Sequence, residues 1–161
     1  MKLNQINSQT VAQASGNAQK ILEWNDRYPL GFGPMDETHE EFVSLVGRMQ
    51  LAPDQALQSL LNELAAHATK HFEMENQWMT QTEFPARSCH IDEHAAVMKS
   101  VEEVRELLAQ GNTDVCRRLV KELAGWFPAH ADHLDSALSH WMCKLRFGGK
   151  PVVIRRDITI R

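Results

Sequence analysis

Four stretches of helical periodicity, joined by connections of only a few residues, constrain this 161-residue chain more than any other feature. From Asp36 onward apolar residues recur three, four and seven apart with few β-branched clusters, the period of helices that bury one face. The first stretch covers about Asp36–Gln50, with Asp36 as N-cap and His39, Phe42, Val46 and Met49 on one face. The second, about Pro53–Gln81, lies between Pro53 and Pro85. Its stripe runs through Leu57, Leu64, His71 and Trp78, with Leu60, Leu61, Ala68 and Glu75 beside it. The third, about His90–Gln110, aligns His90, His94, Val97, Met98, Val101 and Leu108 and stops at Gly111-Asn112. The fourth runs from Thr113 through Leu119, Leu123, Trp126, His130, Leu138 and Trp141 to about Phe147. Long amphipathic helices with short connections pack as antiparallel neighbours, so the expected fold is all-α, an up-down-up-down four-helix bundle.

The bundle should occupy residues 24–147, with an N-terminal arm over 1–23 and a short basic C-terminal extension over 148–161. Trp24 is expected to pack on the bundle, and Tyr28 to Pro34 to form an ordered lead-in loop. Residues 151–160 alternate enough for one strand, but a lone strand in a helical chain has no partner. Residues 144–161 carry six Lys/Arg against Asp157, so with a whole-chain net charge of −4 the first 143 residues hold −9. An acidic body of this kind offers no basic face to nucleic acid. The tail is left to dock a protein partner, cap the bundle or stay mobile. No apolar run reaches a membrane-spanning length and the first 20 residues lack a signal-peptide core, so the expected compartment is the cytoplasm. Cys89, Cys116 and Cys143 are odd in number and without C-x-x-C spacing, against both a disulfide framework and a thiolate zinc site. Nor is there a phosphate-binding loop, since Gly31-Phe32-Gly33 lacks the remaining elements.

Eight His against one Tyr is the compositional oddity, and the pattern places many of them inward. His39 comes from the first helix, His71 and Glu75 from the second, His90 and His94 from the third, and His130 with Asp135 from the fourth. Buried ionisable groups are costly unless paired or metal-bound, and residues four apart project from one helix face. Five imidazoles and two carboxylates exceed one tetrahedral zinc, but suit two six-coordinate ions that share bridging carboxylates. Ligands of this type without thiolate fit iron, and less well manganese, zinc or copper. The Glu-x-x-His pairs of known carboxylate-rich di-iron bundles are missing; the nearest element is Asp36-x-x-His39. His67 and His140 read as outer or surface residues. Five steps from His130 to Asp135 rotate by about 140° on an ideal helix, so geometry alone makes His133 a rival to Asp135. Pro128 should kink the fourth helix near Ala124-Gly125 and alter the surroundings of Phe127.

Trp24…Tyr28-x-x-Gly31…Asp36-x-x-His39, His71-Phe72-x-x-Glu75, His90-x-x-x-His94 and Trp126-x-x-x-His130-x-x-x-x-Asp135 together resemble the hemerythrins, specifically the single-domain bacteriohemerythrins, over about residues 24–142. The resemblance implies two iron ions with an oxo or hydroxo bridge. One would be held by His90, His94 and His130, the other by His39 and His71, with Glu75 and Asp135 bridging. It favours Asp135 over His133, and with it a π-bulge or wide turn between His130 and Asp135. It further implies reversible dioxygen binding, for carriage, buffering or sensing, at an open position on the second iron, in a pocket of Phe42, Phe72, Trp126 and Phe127. On this reading the chain is not an enzyme; the alternative is a di-iron enzyme acting on peroxide or nitric oxide, or in iron-centre repair.

Overall fold

The computed structural model describes residues 19–151 and residue 153. Most of the expected N-terminal arm, and most of the basic tail with its candidate strand, therefore lie outside the described residues. Among those described, the elements are α1 (Gly33–Leu51), a 3₁₀ turn (Asp54–Ala56), α2 (Leu57–Gln81), α3 (Arg87–Ala109), α4 (Thr113–His130), a π-helical turn (Ala131–Asp135) and α5 (Ser136–Phe147). Helix α1 packs on α2 and α4, and α3 packs on the same two. The four expected stretches therefore close into a four-helix bundle whose fourth member is α4, the π turn and α5 in line.

The connections follow local chemistry. Gly111, with φ of +93°, ends α3: its N–H bonds to Leu108 O at 2.9 Å, and Asn112 N–H bonds to Leu107 O at 3.1 Å. Asn112 then caps α4 by accepting from Val115 N–H at 3.2 Å. Gly148, with φ of +68°, closes α5. Arg117 ties the end of α1 to the 3₁₀ turn, donating to Met49 O at 3.2 Å, Ala52 O at 2.7 Å and Asp54 Oδ1 at 2.6 Å.

Asp36 is not the N-cap of α1. The helix begins three residues earlier, with Pro34 in its first turn, where the missing N–H costs nothing. The Asp36 carboxylate turns back instead, accepting from Leu30 N–H at 2.7 Å and Gly31 N–H at 2.9 Å, and so fixes the lead-in loop. Helix α3 likewise starts before His90, at Arg87. The lead-in segment lies on the bundle as expected: Leu22 is buried, Trp24 stacks on Tyr28 at 5.6 Å, and Tyr28 meets Phe127 at 5.6 Å. At Gly31, with φ of +87°, an added Cβ would meet Pro151 Cβ at 2.6 Å, so the start of the tail lies against the lead-in loop.

The apolar interior has two parts. The larger includes Phe42, Val46 and Met49 of α1, Leu57, Leu61 and Leu64 of α2, Val101, Val104 and Leu108 of α3, and Leu119, Leu123 and Phe127 of α4. The smaller is built from Phe32, Met35, Met79, Phe84, Leu138, Met142 and Cys143. Along α1, His39 falls between Met35 and Phe42; along α2, His71 and Glu75 fall between Leu64 and Met79; beyond α4, Asp135 precedes Leu138. The polar residues thus form a layer between two apolar ones, the arrangement that keeps bulk water from a buried site.

Candidate metal centre

Helical spacing delivers the polar side chains to this layer. His71 and Glu75 share one face of α2, and His90 and His94 share one face of α3, because residues four apart sit one above the other. His130 and Asp135 are five apart and need the π turn: Ser136 N–H bonds back to Ala131 O, and the widened turn absorbs the extra residue. Asp135 is buried and faces the imidazoles, whereas His133 is exposed. Helix α4 continues through Pro128, and Phe127 remains 1% exposed against His39 at 5.3 Å and Phe42 at 5.3 Å.

His39, His71, Glu75, His90, His94, His130 and Asp135 are all buried. All five imidazoles point Nε2 at the carboxylates, and each carboxylate divides its two oxygens between two groups. Glu75 Oε1 lies 2.9 Å from His71 and 3.4 Å from His39. Glu75 Oε2 lies 3.3 Å from His94 and 3.6 Å from His90. Asp135 Oδ2 lies 3.2 Å from His39, while its Oδ1 lies 3.0 Å from His90 and 3.2 Å from His130. Two poles result. One gathers His90, His94 and His130 with an oxygen of each carboxylate, and its ligand atoms all lie within 4.8 Å of one another. The other gathers His39, His71 and Glu75, and Asp135 reaches it through His39.

Hydrogen bonding within the protein does not satisfy this layer. His39 Nε2, His90 Nε2, Glu75 Oε2 and both Asp135 oxygens are buried without a hydrogen-bond partner. Leaving such groups unmatched costs about 1–3 kcal/mol each. His94 and His130 sharpen the point. Their Nδ1 atoms face acceptors, Asn76 Oδ1 at 2.9 Å and Glu93 Oε1 at 3.0 Å, so each ring presents an Nε2 lone pair inward. Those two Nε2 atoms lie 3.2 Å apart. Two facing lone pairs repel; a proton or a metal cation between them removes the conflict. The donor set of imidazole and carboxylate without thiolate fits a pair of divalent or trivalent cations such as iron.

The same contacts set the charge balance of the layer. Burial opposes charge on His39, yet the Asp135 and Glu75 carboxylates beside its Nε2 outweigh this and raise its pKa to about 10. Burial also opposes charge on His130, and Asp135 again raises it. At His94 burial prevails and the pKa is lowered. Burial would raise Glu75 and Asp135, but the surrounding imidazoles hold both below the usual carboxylate range.

Aromatic rings enclose the layer. Phe72 stacks on His94 at 4.1 Å and Trp126 on His130 at 4.3 Å, while Phe42 meets His71 at 6.2 Å. His67 stays outside, pairing with Glu41 at 3.1 Å, and His140 is exposed. Asn76 and Glu93 are the residues the sequence did not single out. Each adjoins an expected site residue, but an Asn or Glu on a helix reads as ordinary solvated surface unless the partner ring is known.

Residues 31–140 match the family model of the hemerythrin HHE cation binding domain. The chain is 34% identical over 124 residues to a bacteriohemerythrin of Ralstonia nicotianae, covering 77% of this chain and 90% of that protein. It is 23% identical over 141 residues to a bacteriohemerythrin of Stenotrophomonas maltophilia, covering 80% of this chain and 92% of that protein. No solved structure gives a significant match.

Proposed function

The chain belongs to the hemerythrin family, and on that premise we propose that its buried layer holds two non-haem iron ions and binds dioxygen reversibly. The observation that carries this reading is the division of the Glu75 and Asp135 oxygens between two imidazole groups, since a carboxylate that bridges two cations presents one oxygen to each. His90, His94 and His130 would hold one ion and His39 and His71 the other. When bound, such a pair supplies an electron-donating, Lewis-acidic site for a small diatomic ligand.

The protein's own residues then decide what that site does. The His39–His71 pole has one imidazole fewer than the other, so an ion held there would have more room for an exogenous ligand. Phe127 lies edge-on to His39 and Phe42 edge-on to His71, which makes two sides of this pole apolar, while the His67 ring meets His71 at 5.7 Å. With Phe72 and Trp126 closing the opposite side, these rings limit the access of the water that irreversible chemistry requires. This enclosure favours binding and release over turnover of peroxide or nitric oxide. Iron analysis of aerobically purified protein should give about two iron per chain. A visible absorption band should appear with dioxygen and fade on its removal; rapid bleaching with peroxide consumption would support the enzymatic alternative instead.

A further inference from the structure

Two of the five imidazoles are held from behind, and both belong to the same pole. His94 Nδ1 faces Asn76 Oδ1 from α2 at 2.9 Å. His130 Nδ1 faces Glu93 Oε1 from α3 at 3.0 Å, and the same oxygen accepts from Trp126 Nε1 at 2.7 Å. Glu93 therefore locks both a ligand-type imidazole and the indole stacked upon it. The Nδ1 atoms of His39 and His71, the other pole's two imidazoles, have no hydrogen-bond partner, nor has that of His90, so the first pole has two anchored rings of three and the second has none.

An acceptor at Nδ1–H fixes the tautomer that offers Nε2 inward, limits rotation of the ring and strengthens its lone pair. A ring so held loses little freedom on ligation; an unanchored ring loses more. We infer that Asn76 and Glu93 are positioning residues that make the His90–His94–His130 pole the tighter metal position, filled first and emptied last, and leave the His39–His71 pole the weaker one. The inference rests on the reading of the layer as a two-metal centre. Its chemical consequence is a stable intermediate with one metal per chain.

The test is calorimetric and optical titration of metal-free protein with Co2+, alongside thermal unfolding of the metal-free form. Wild-type protein should bind in two separable steps. Glu93→Ala should weaken the tighter step by roughly 10–100-fold and leave the weaker step unchanged. Glu93→Gln, which keeps an oxygen acceptor at that position, should restore most of the loss. Asn76→Ala acts from a different helix and should reproduce the selective effect, so the inference stays open to test if Glu93→Ala does not fold. His71→Ala should abolish the weaker step alone, identifying that step with its own pole. Loss of the tighter step in His71→Ala, or equal weakening of both steps with a lowered unfolding midpoint in Glu93→Ala and Asn76→Ala, would overturn the inference while leaving the metal centre standing. Wild-type protein that takes up no Co2+ would overturn the metal-centre reading, and the inference with it.

Discussion

His39 Nε2 lies 3.2 Å from Asp135 and 3.4 Å from Glu75 with no exposed edge, so in the metal-free protein it keeps a proton that a free imidazole would shed near neutrality. On the proposed reading, a metal ion held by His39 displaces that proton. Loading metal at pH 8 should therefore release protons, visible as a dependence of the calorimetric heat on the buffer's ionisation enthalpy. Because the folded pKa of His39 is raised from 6.5 to about 10, its contribution to metal-free stability is complete below pH 6.5 and is lost as pH rises through about 10. The unfolding midpoint of the metal-free protein should fall across that window, whereas the loaded protein, whose His39 is neutral, should not follow it. A second residue-scale prediction separates the rivals on the fourth helix. Asp135→Ala should lose most of the bound metal, and His133→Ala, an exposed residue, should retain wild-type content by elemental analysis. The ligand-type residues were legible because five imidazoles and two carboxylates on apolar faces have no cheap structural explanation. Asn76 and Glu93 were not, because their role exists only through rings on neighbouring helices.

At the scale of elements, periodicity located the helices, but their ends were set by chemistry that periodicity does not encode. Asp36 has the composition of an N-cap, yet the chain enters α1 through Gly33-Pro34 and uses the Asp36 carboxylate to hold the backbone of Leu30 and Gly31. Gly111-Asn112 was readable because both of its tasks are local: a left-handed residue that stops α3 and a side chain that starts α4. Asn112→Ala should cost about 1 kcal/mol, measured by urea unfolding, without changing metal content. The π turn is the opposite case. A five-residue spacing on an ideal helix points Asp135 away from His130, and only the family resemblance argued for widening. The bond from Ser136 N–H to Ala131 O supplies that widening and places Asp135 among the imidazoles. Helix α4 is not ended by Pro128, which lies within it.

Across the whole molecule, the buried layer joins four helices that would otherwise meet through conflicting polar groups, so metal and fold should be linked. Anything that binds only the folded state stabilises it, by about 2.7 kcal/mol at a hundred times its dissociation constant. Removal of metal by a chelator should accordingly lower the unfolding midpoint by several degrees, and restoring iron should recover it. Metal should also be released as pH falls below about 5, where imidazoles take up protons in competition with the ions; retention at pH 4 would contradict this. Among the described residues no helix is long and apolar enough to cross a membrane. Reversible dioxygen binding by the buried layer is tested by an anaerobic-to-aerobic optical titration of the reduced, iron-loaded protein. A visible band should grow with dioxygen, saturate at one dioxygen per iron pair and disappear on deoxygenation over repeated cycles. A protein that stays colourless through reduction and air, or that colours once and cannot be returned, would contradict it.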